Sequence, residues 1–266
     1  MRLNKTELLK NQYSNSEKLN ARALIHELFS TSQTKWTDLM FEVMHVQEGE
    51  KALVLGCGSG VHWRSNQARF PEKSQFILSD YSFGMTREVA GALGEDRRFS
   101  FMVMDAENFA VRERFFDLIT ANHMLYHLPN AERALEQAAV TLKPEGRFVA
   151  ALNGLGHMGE LDVLLERFEP ALKQGHRFYL PFNLENGRER IARYFGEVQL
   201  IPFPGDLWVK DAALLAEYAC SLPITHAIPI TRKPELIQYF QRLIEKDGGI
   251  FIRKSVGIYI AKKPRY

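Results

Sequence analysis

Short apolar runs alternate with helical stripes through the middle of this chain. The runs predict buried strands at 52–55, 75–79, 99–104, 116–121 and 146–152. Stretches with helical spacing lie between them, near 62–70, 82–93 and 130–142. Strands that alternate with helices predict a parallel sheet with helices on both of its faces. Ligands of such sheets bind at the carboxyl ends of the strands.

The flanking segments have a different rhythm. Two amphipathic helices are predicted before the first strand, one at about 16–29 and one that carries Trp36, Met40 and Val43 on a single face. After Gly154 the regular alternation ends. The pattern there predicts helices near 161–172, 209–220 and 233–246, a sixth strand at 197–203 and a last strand at 250–261.

Composition and charge restrict the class of protein. The chain has 266 residues, of which 45% are hydrophobic and 25% charged, as expected of one globular α/β domain with insertions. A net charge of +2 is too balanced to indicate nucleic acid or a membrane surface as a partner. The two cysteines, Cys57 and Cys220, suggest neither a disulfide framework nor a metal cluster. Because no signal-like or membrane-spanning apolar run occurs, we expect a soluble, cytoplasmic protein.

Three glycines at alternate positions, Gly56, Gly58 and Gly60, follow the first predicted strand. A strand that turns into a helix through glycines brings its backbone N–H groups close to a ligand. Asp80 ends the next strand, 24 residues after Gly56, where about 20 are expected between such a loop and the acid that binds a ribose. The sequence therefore predicts a nucleoside-cofactor site.

The spacing of the glycines argues against a dinucleotide. The dinucleotide pattern G-x-G-x-x-G requires a third glycine at position 61, which is Val61. The spacing therefore does not support a hydride-transferring dehydrogenase. The loop instead resembles motif I of the class I S-adenosylmethionine-dependent methyltransferases.

The resemblance covers about residues 53–154 and is to the UbiE-like, type 11 group of these enzymes. It is carried by VLGCGSG (54–60), LSDYS (78–82), MDAENF (104–109), FDLITANHMLYHL (116–128) and LKPEGRF (142–148). It implies a Rossmann-like, doubly wound α/β fold with a seven-stranded sheet, mostly parallel with one antiparallel strand. It also implies S-adenosyl-L-methionine as the cofactor and S-adenosyl-L-homocysteine as the product.

The same resemblance implies an organisation within a single domain. A helical lid is expected at 1–48 and the cofactor-binding core at 49–154. The remainder of the fold, at 155–266, would include substrate-cap insertions near 153–190 and 205–230. A small-molecule methyl acceptor is the expected partner, with no nucleic acid and no membrane. The sequence leaves the oligomeric state and the acceptor atom open.

Carried over position by position, the resemblance assigns residues to parts of the cofactor. The glycine loop would contact the methionyl group, with the helix that follows favouring its carboxylate, and Asp80 would accept the ribose hydroxyls. Tyr81 would flank the ribose or adenine. Asp105 would accept from the adenine amino group and the Ala106 amide would donate to the ring. The full cofactor-binding set is Gly56, Cys57, Gly58, Gly60, Asp80, Tyr81, Asp105, Ala106 and Asn122.

Other interpretations of these residues stay open from the sequence. Asp80 is also placed to cap the following helix, a role that Ser82 can take instead. Tyr81 can simply fill space, and Cys57 more often fills a loop than acts as a nucleophile. His123 and Tyr126 are the candidate catalytic residues, as a base or as groups that orient the acceptor. Four further histidines are also candidates to lie near the site, namely His26, His62, His157 and His176.

No metal site is expected, because no pair of histidines has ligand spacing on a predicted helix. Two alternatives to a small-molecule methyltransferase remain. One is methylation of RNA or protein, against which the balanced charge and the lack of an appended RNA-binding module count. The other is a non-catalytic regulatory protein that binds S-adenosylmethionine. Its mark would be a broken glycine motif or a missing acid, and both are intact.

Overall fold

A computed structural model of the protein describes residues 17–109, 111–173, 181–222 and 230–266. Part of the predicted lid, at 1–16, therefore lies outside the described residues. So do the parts of the predicted cap segments at 174–180, which include His176, and at 223–229. Within the described residues, no helix has both the length and the apolar character needed to cross a bilayer.

The helices and strands agree closely with the predicted pattern, except that a helix at 184–192 and a short strand at 207–209 were not predicted. The strands are β1 Lys51–Leu55, β2 Gln75–Asp80, β3 Phe99–Val103, β4 Phe116–Asn122, β5 Leu142–Asn153, β6 Phe195–Pro202, β7 Leu207–Val209, β8 Ile250–Ile252 and β9 Val256–Pro264. The helices are α1 Glu17–Leu28, α2 Trp36–Met44, α3 Val61–Ser65, α4 Phe83–Leu93, α5 Ala131–Thr141, α6 Gly159–Phe168, α7 Leu184–Ala192, α8 Ala212–Ser221 and α9 Lys233–Asp247.

The chain forms two compact units. The first, here the helical unit, consists of the described residues within 1–35, 156–179 and 204–255. The second, here the sheet unit, consists of those within 36–155, 180–203 and 256–266. The predicted roles of 1–48 as a lid and of the cap insertions stay predictions.

The sheet unit contains a seven-stranded sheet in the order β3-β2-β1-β4-β5-β9-β6. Strands β1 to β5 are parallel, and β9 runs antiparallel to both of its neighbours, β5 and β6. The order reverses between β1 and β4, which is where ligands of doubly wound sheets bind. The predicted fold class is therefore confirmed.

Apolar side chains on both faces hold this sheet in place. In β1, Leu53 and Leu55 belong to the core on one face, whereas Ala52 and Val54 belong to the core on the other. Side chains alternate between faces along a strand, so a strand buried on both faces is continuously apolar. Each large apolar side chain buried in this way contributes roughly 1.5–3 kcal/mol.

Polar side chains fix where helix α7 begins. The Oδ1 of Asn183 accepts from the Asn186 amide at 2.9 Å, and the Oδ1 of Asn186 accepts from the Asn183 amide at 3.0 Å. This reciprocal pair satisfies two N–H groups that the first turn of a helix leaves unpaired. Further along α7, a Cβ on Gly187 would lie 2.8 Å from the Tyr259 ring, so the glycine lets α7 pack closely on the sheet.

The predicted last strand, 250–261, is wrong as a single element. It divides into β8, which pairs with β7 in the helical unit, and β9 of the main sheet. The amides of the three residues between them donate to side chains instead of to a strand. Arg253 donates to Glu160 Oε2, Lys254 to Asp206 Oδ1 and Ser255 to His157 Nδ1. These contacts are distant in sequence, so the apolar pattern alone could not show the break.

The helical unit has its own apolar core. Leu161 and Leu165 of α6 pack with Leu215 of α8 and with Leu236 and Phe240 of α9. Helix α8 begins at a side-chain cap, since Asp211 Oδ1 accepts from the Leu214 amide at 2.9 Å. Burial at spacings of three and four residues is the reason that these segments are helical.

Candidate cofactor-binding site

The glycine loop turns sharply between β1 and α3. Gly56, Gly58 and Gly60 have φ values of 71°, 54° and 74°, a backbone region that glycine adopts without strain. A Cβ on Gly56 would lie 3.0 Å from the Cβ of Met124, and one on Gly60 would lie 2.3 Å from Cγ2 of Val89. The loop backbone therefore packs directly against its neighbours.

Asp80 connects the end of β2 to this loop. Its Oδ2 accepts from the Gly58 amide at 2.9 Å, and its Oδ1 accepts from the Ser82 amide at 2.8 Å. Burial raises the pKa of this carboxyl, while hydrogen bonds from the Ser82, Gly58 and Tyr81 amides lower it. A carboxylate has about four acceptor sites, so beside these three amides Asp80 retains one for a ribose hydroxyl.

The alternative role for Asp80, as a helix cap, is filled by another residue. Ser82 is the N-cap of α4, and its Oγ accepts from the Met85 amide at 3.2 Å. The Asp80 carboxylate is instead turned toward the glycine loop, as a ribose-binding acid would be. The sequence alone could not separate these two roles.

The end of β3 lies beside the end of β2. The Met104 amide donates to the Asp80 carbonyl at 3.0 Å. Asp105 follows, and its Oδ1 accepts from the Glu107 amide at 3.0 Å, while Ala106 is buried. Tyr81 is 42% exposed, so it does not fill space in the core. The residues predicted for the ribose and adenine are thus brought to one edge of the sheet.

The end of β4 carries the residues predicted for the methionyl group and for catalysis. Oδ1 of Asn122 is buried and has no hydrogen-bond partner. His123 adopts a left-handed backbone conformation with φ 53°, and its amide donates to the Ala151 carbonyl at 2.9 Å. Its ring lies 5.2 Å from that of Trp36, and burial lowers the pKa of His123 to about 4.

Tyr126 lies in a different environment from His123. It is part of a 3₁₀ turn, Leu125–His127, and its ring lies 4.5 Å from that of His127. It packs against the core that includes Leu53 and Leu55, whereas Trp36, the partner of His123, packs against the core on the other face. A joint catalytic role for His123 and Tyr126 stays a prediction, and these contacts do not support it.

The thiol of Cys57 is not activated. Burial, with a smaller contribution from Asp80, raises its pKa. A thiol with a raised pKa is protonated at neutral pH and is a poor nucleophile. Cys57 therefore fits the interpretation of a small side chain that fills the loop. Within the described ranges, no group of three or more His, Cys, Asp or Glu residues is positioned to hold a metal ion.

His62 is the candidate residue that the sequence indicated least. Both of its ring nitrogens are buried and form no hydrogen bond with any residue in the part of the chain that the structure describes. Burial, followed by the nearby charge of Arg69, lowers the pKa of His62 to about 4. A buried polar group without a partner costs about 1–3 kcal/mol. Nothing in the sequence around His62 indicates this arrangement, because it depends on how α2 and α3 pack.

The two buried histidines predict acid sensitivity. Their pKa values of about 4 lie below the ordinary 6.5, so between pH 6.5 and 4 the unfolded chain binds more protons than the folded one. Stability is therefore expected to fall as the pH drops through this range, by about 2 kcal/mol for each histidine between pH 7 and pH 5. Denaturant unfolding at the two pH values measures the loss.

A matched pair of variants tests whether His123 causes part of this loss of stability at low pH. His123→Asn removes the titrating ring at a left-handed position, and His45→Asn makes the same change at an exposed residue with φ 46°. The first variant is expected to show a smaller loss between pH 7 and pH 5 than the wild type, and the second to match the wild type. An equal pH dependence in all three proteins would contradict the assignment.

The fold and the site together define a class of protein. A parallel sheet with a glycine loop after β1 and an acid at the end of β2 is a Rossmann-like domain that binds a nucleoside cofactor. Residues 53–150 match the family model described as a methyltransferase domain. The resemblance of this chain to the S-adenosylmethionine-dependent methyltransferases, drawn from the motifs, is thus confirmed.

Curated relatives agree with this class. The chain is 28% identical over 131 residues to demethylmenaquinone methyltransferase of Paenarthrobacter aurescens, a match that covers 48% of this chain and 49% of that protein. It is 26% identical over 172 residues to malonyl-[acyl-carrier protein] O-methyltransferase of Geobacter sulfurreducens, covering 64% and 60%. The chain thus spans about half to three fifths of the length of these relatives.

Solved structures share the fold over nearly the whole chain. Phosphoethanolamine N-methyltransferase 2 of Haemonchus contortus, in complex with phosphomonomethylethanolamine and S-adenosylhomocysteine, aligns with a TM-score of 0.62 at 20% identity, over 97% of this chain and 59% of that chain. The [4+2]-cyclase SpnF aligns with a TM-score of 0.56 at 18% identity, over 90% and 87%. At these identities the likeness establishes the fold alone.

S-adenosylmethionine, the cofactor predicted from the glycine loop, or its product S-adenosylhomocysteine is bound in two solved structures that share this fold. The residues of this chain fit that cofactor. Side chains in place of Gly56 and Gly60 would clash with Met124 and Val89, and Asp80 presents a carboxylate at the end of β2. Asn122 and His62 have buried polar atoms that form no hydrogen bond with any described residue.

Proposed function

We propose that this protein transfers a methyl group from S-adenosylmethionine to a small-molecule acceptor. The observation that carries the proposal is the joining of the glycine loop to Asp80, through the hydrogen bond from the Gly58 amide. That contact holds the glycine loop beside the Asp80 carboxylate. The two groups can then bind adjacent parts of one ligand, the loop the methionyl group and the carboxylate the ribose. S-adenosylmethionine supplies a methyl group on a sulfonium centre, which a nucleophile displaces in line.

The protein's own contribution to such a reaction is mainly positioning. A displacement at a methyl carbon needs the nucleophile in line with the leaving sulfur, and holding it there lowers the entropic part of the barrier. Asn122 and His123, at the end of β4, are the residues proposed to lie nearest to the transferred methyl group. Because its pKa is lowered to about 4, His123 is neutral at pH 7 but a weak base, so its proposed role is to orient the acceptor by hydrogen bonding.

The names of the relatives suggest which acceptors to test first. Two of those proteins are named for demethylmenaquinone and for malonyl-[acyl-carrier protein]. Others are named for aklanonic acid and for ubiquinone biosynthesis. We propose a small organic acceptor with a hydroxyl, carboxyl or acidic carbon as the most suitable class for the first screen.

The alternative functions each have an observation for or against them. The cyclase SpnF shows that a protein with this fold can be named for a different reaction, so the fold does not establish turnover. A non-catalytic protein that binds S-adenosylmethionine would share the same loop and acid. Methylation of RNA or protein has less support, because the net charge of +2 provides no strong attraction for nucleic acid.

Two measurements on the purified protein test the proposal in sequence. Calorimetric titration with S-adenosylmethionine and S-adenosylhomocysteine, with NAD as the control, is expected to show binding of both sulfur nucleosides and not of NAD. Transfer of a labelled methyl group is then measured across a panel of phenols, quinols, carboxylic acids and amines. Binding without transfer to any acceptor would favour the non-catalytic alternative, and tighter binding of NAD would refute the cofactor assignment.

A further inference from the structure

Strand β3 forms one edge of the main sheet. It is the first strand in the order of the sheet, and among the described residues it pairs with β2 alone. An edge strand presents a row of N–H and C=O groups that no neighbouring strand satisfies. Two large apolar side chains of β3 are also exposed, Met102 at 44% and Val103 at 50%. This edge therefore presents both main-chain hydrogen-bonding groups and apolar surface to a partner.

The hydrogen bonds between β3 and β2 show which backbone groups of β3 face outward. The carbonyl of Arg98 accepts from the Phe76 amide at 2.8 Å, and the amide of Met104 donates to the Asp80 carbonyl at 3.0 Å. Successive residues of a strand direct their N–H and C=O groups to opposite sides. The even-numbered residues of 98–104 therefore face β2, and the odd-numbered residues face away from the sheet.

Phe101 lies at the centre of the outward-facing residues, between Phe99 and Val103. Two copies of β3 related by a two-fold axis at Phe101 would pair antiparallel, with Phe101 opposite Phe101 and Phe99 opposite Val103. The two Phe101 residues would exchange N–H···O=C bonds, and each Val103 amide would donate to the Phe99 carbonyl of the other copy. The Phe99 amide is already used within the chain, since it donates to the Asp96 carbonyl at 3.0 Å. The edge is thus complementary to itself.

The charges that flank β3 also match across an antiparallel pair. Arg97 and Asp105 lie four positions before and four positions after Phe101, so the pair would set Arg97 of one copy beside Asp105 of the other. Arg97 is exposed, whereas the neighbouring Arg98 pairs with Asp96 of its own chain at 2.6 Å. Opposite charges across a strand pair are stabilising and like charges destabilising. An in-register parallel pair would set like charges side by side, so the charges favour the antiparallel arrangement.

The other edge of the sheet, β6, has features that oppose such pairing. Glu197 of β6 forms an ion pair with Lys263, and the strand ends at Pro202. Charged side chains and proline are common protection for an edge strand. Between Phe99 and Val103, β3 has neither, and its register with β2 continues without a shift. Of the two edges, β3 is therefore the one open to pairing.

We propose that two copies of this protein associate through an antiparallel pair of β3 strands centred on Phe101, so that the two main sheets become one continuous sheet. The pairing covers Met102 and Val103 of each copy. It involves residues of the sheet unit alone and depends neither on the cofactor nor on methyl transfer.

Sedimentation velocity over a dilution series of the purified protein measures this association. The wild type is expected to show a reversible equilibrium between monomer and dimer. Met102→Lys removes apolar surface and sets two lysines diagonally across the pair, so it is expected to weaken dimerisation at least about 10-fold. Gln199→Lys is the matched control, because it adds the same charge at an exposed position of the other edge strand, β6. It is expected to leave the dissociation constant of the dimer unchanged.

A charge reversal tests the register of the pair. Arg97→Glu would bring two acidic side chains together at each end of the pair, and it is expected to weaken dimerisation about 10-fold. Addition of Asp105→Lys restores opposite charges in the reverse order, so the double variant is expected to recover most of the affinity. Circular dichroism checks that each variant is folded.

Three results would overturn the proposal. The first is a wild type that stays monomeric throughout the dilution series. The second is a dimer that Gln199→Lys weakens as much as Met102→Lys does, since the contact would then not be specific to β3. The third is a folded double charge variant that dimerises as weakly as Arg97→Glu, since Arg97 would then not lie beside Asp105 of the other copy.

Discussion

Asp80→Asn is expected to weaken binding of S-adenosylhomocysteine by about 10- to 100-fold. The carboxylate has an acceptor site left for a ribose hydroxyl, and a hydrogen bond to a charged group contributes about 1.5–3 kcal/mol. Asparagine keeps one oxygen, which can still accept from the Gly58 amide as Oδ2 of Asp80 does at 2.9 Å. The loss is therefore expected mainly in affinity, which calorimetric titration measures directly.

Asp117→Asn is the matched control for this variant. Oδ2 of Asp117 also accepts from a backbone amide, that of Lys51 at 3.0 Å, and the carboxylate pairs with Lys143. It lies at the start of β4, whereas the cofactor site lies at the carboxyl ends of the parallel strands. We expect affinity for S-adenosylhomocysteine within about twofold of the wild type. Similar affinities for the Asp80 and Asp117 variants would show that Asp80 does not bind the ribose.

Gly60→Ala is expected to destabilise the sheet unit by about 3 kcal/mol. The residue has φ 74°, which costs a residue with a side chain roughly 1–2 kcal/mol. The added Cβ would also lie 2.3 Å from Cγ2 of Val89, a β-branched residue in α4 that cannot easily rotate away. Overpacking of this kind costs typically 1–3 kcal/mol. Denaturant unfolding monitored by circular dichroism gives the change in free energy.

Gly91→Ala provides the comparison within the same structure. Gly91 lies in α4, two residues after Val89, and a Cβ there would meet no atom within 4 Å. Alanine in place of glycine in a helix is expected to stabilise the protein by up to about 1 kcal/mol. The two substitutions are thus expected to change stability in opposite directions. A Gly60→Ala protein as stable as the wild type would show that the loop is not held in the described conformation.

The proposed function depends on different observations at each level. The resemblance to methyltransferases rests on the family match over 53–150 and on the fold. Turnover and the acceptor do not follow from the fold. Variants of Asp80 test the cofactor site without any knowledge of the acceptor. The acceptor screen then tests the reaction by itself.

Most of the strands and helices were predictable because their signals are local. The five parallel strands and the helices between them follow from apolar periodicity, and each predicted element is present within a few residues of its expected bounds. The error at 250–261 has the opposite cause. Apolar residues lie on both sides of the polar residues 253–255, and the amides of these three residues donate to side chains about 50 to almost 100 residues away.

The sequence by itself determined the class of cofactor, because three glycines at alternate positions and an acid 24 residues later form a local pattern with a physical requirement behind it. Only the tertiary structure decided which of two roles Asp80 has, since Ser82 takes the helix cap. It also decided that His62 is buried without a partner and that His123 faces Trp36, 87 residues earlier in the chain. Burial and hydrogen-bond satisfaction depend on the packing of distant segments, and no local pattern records them.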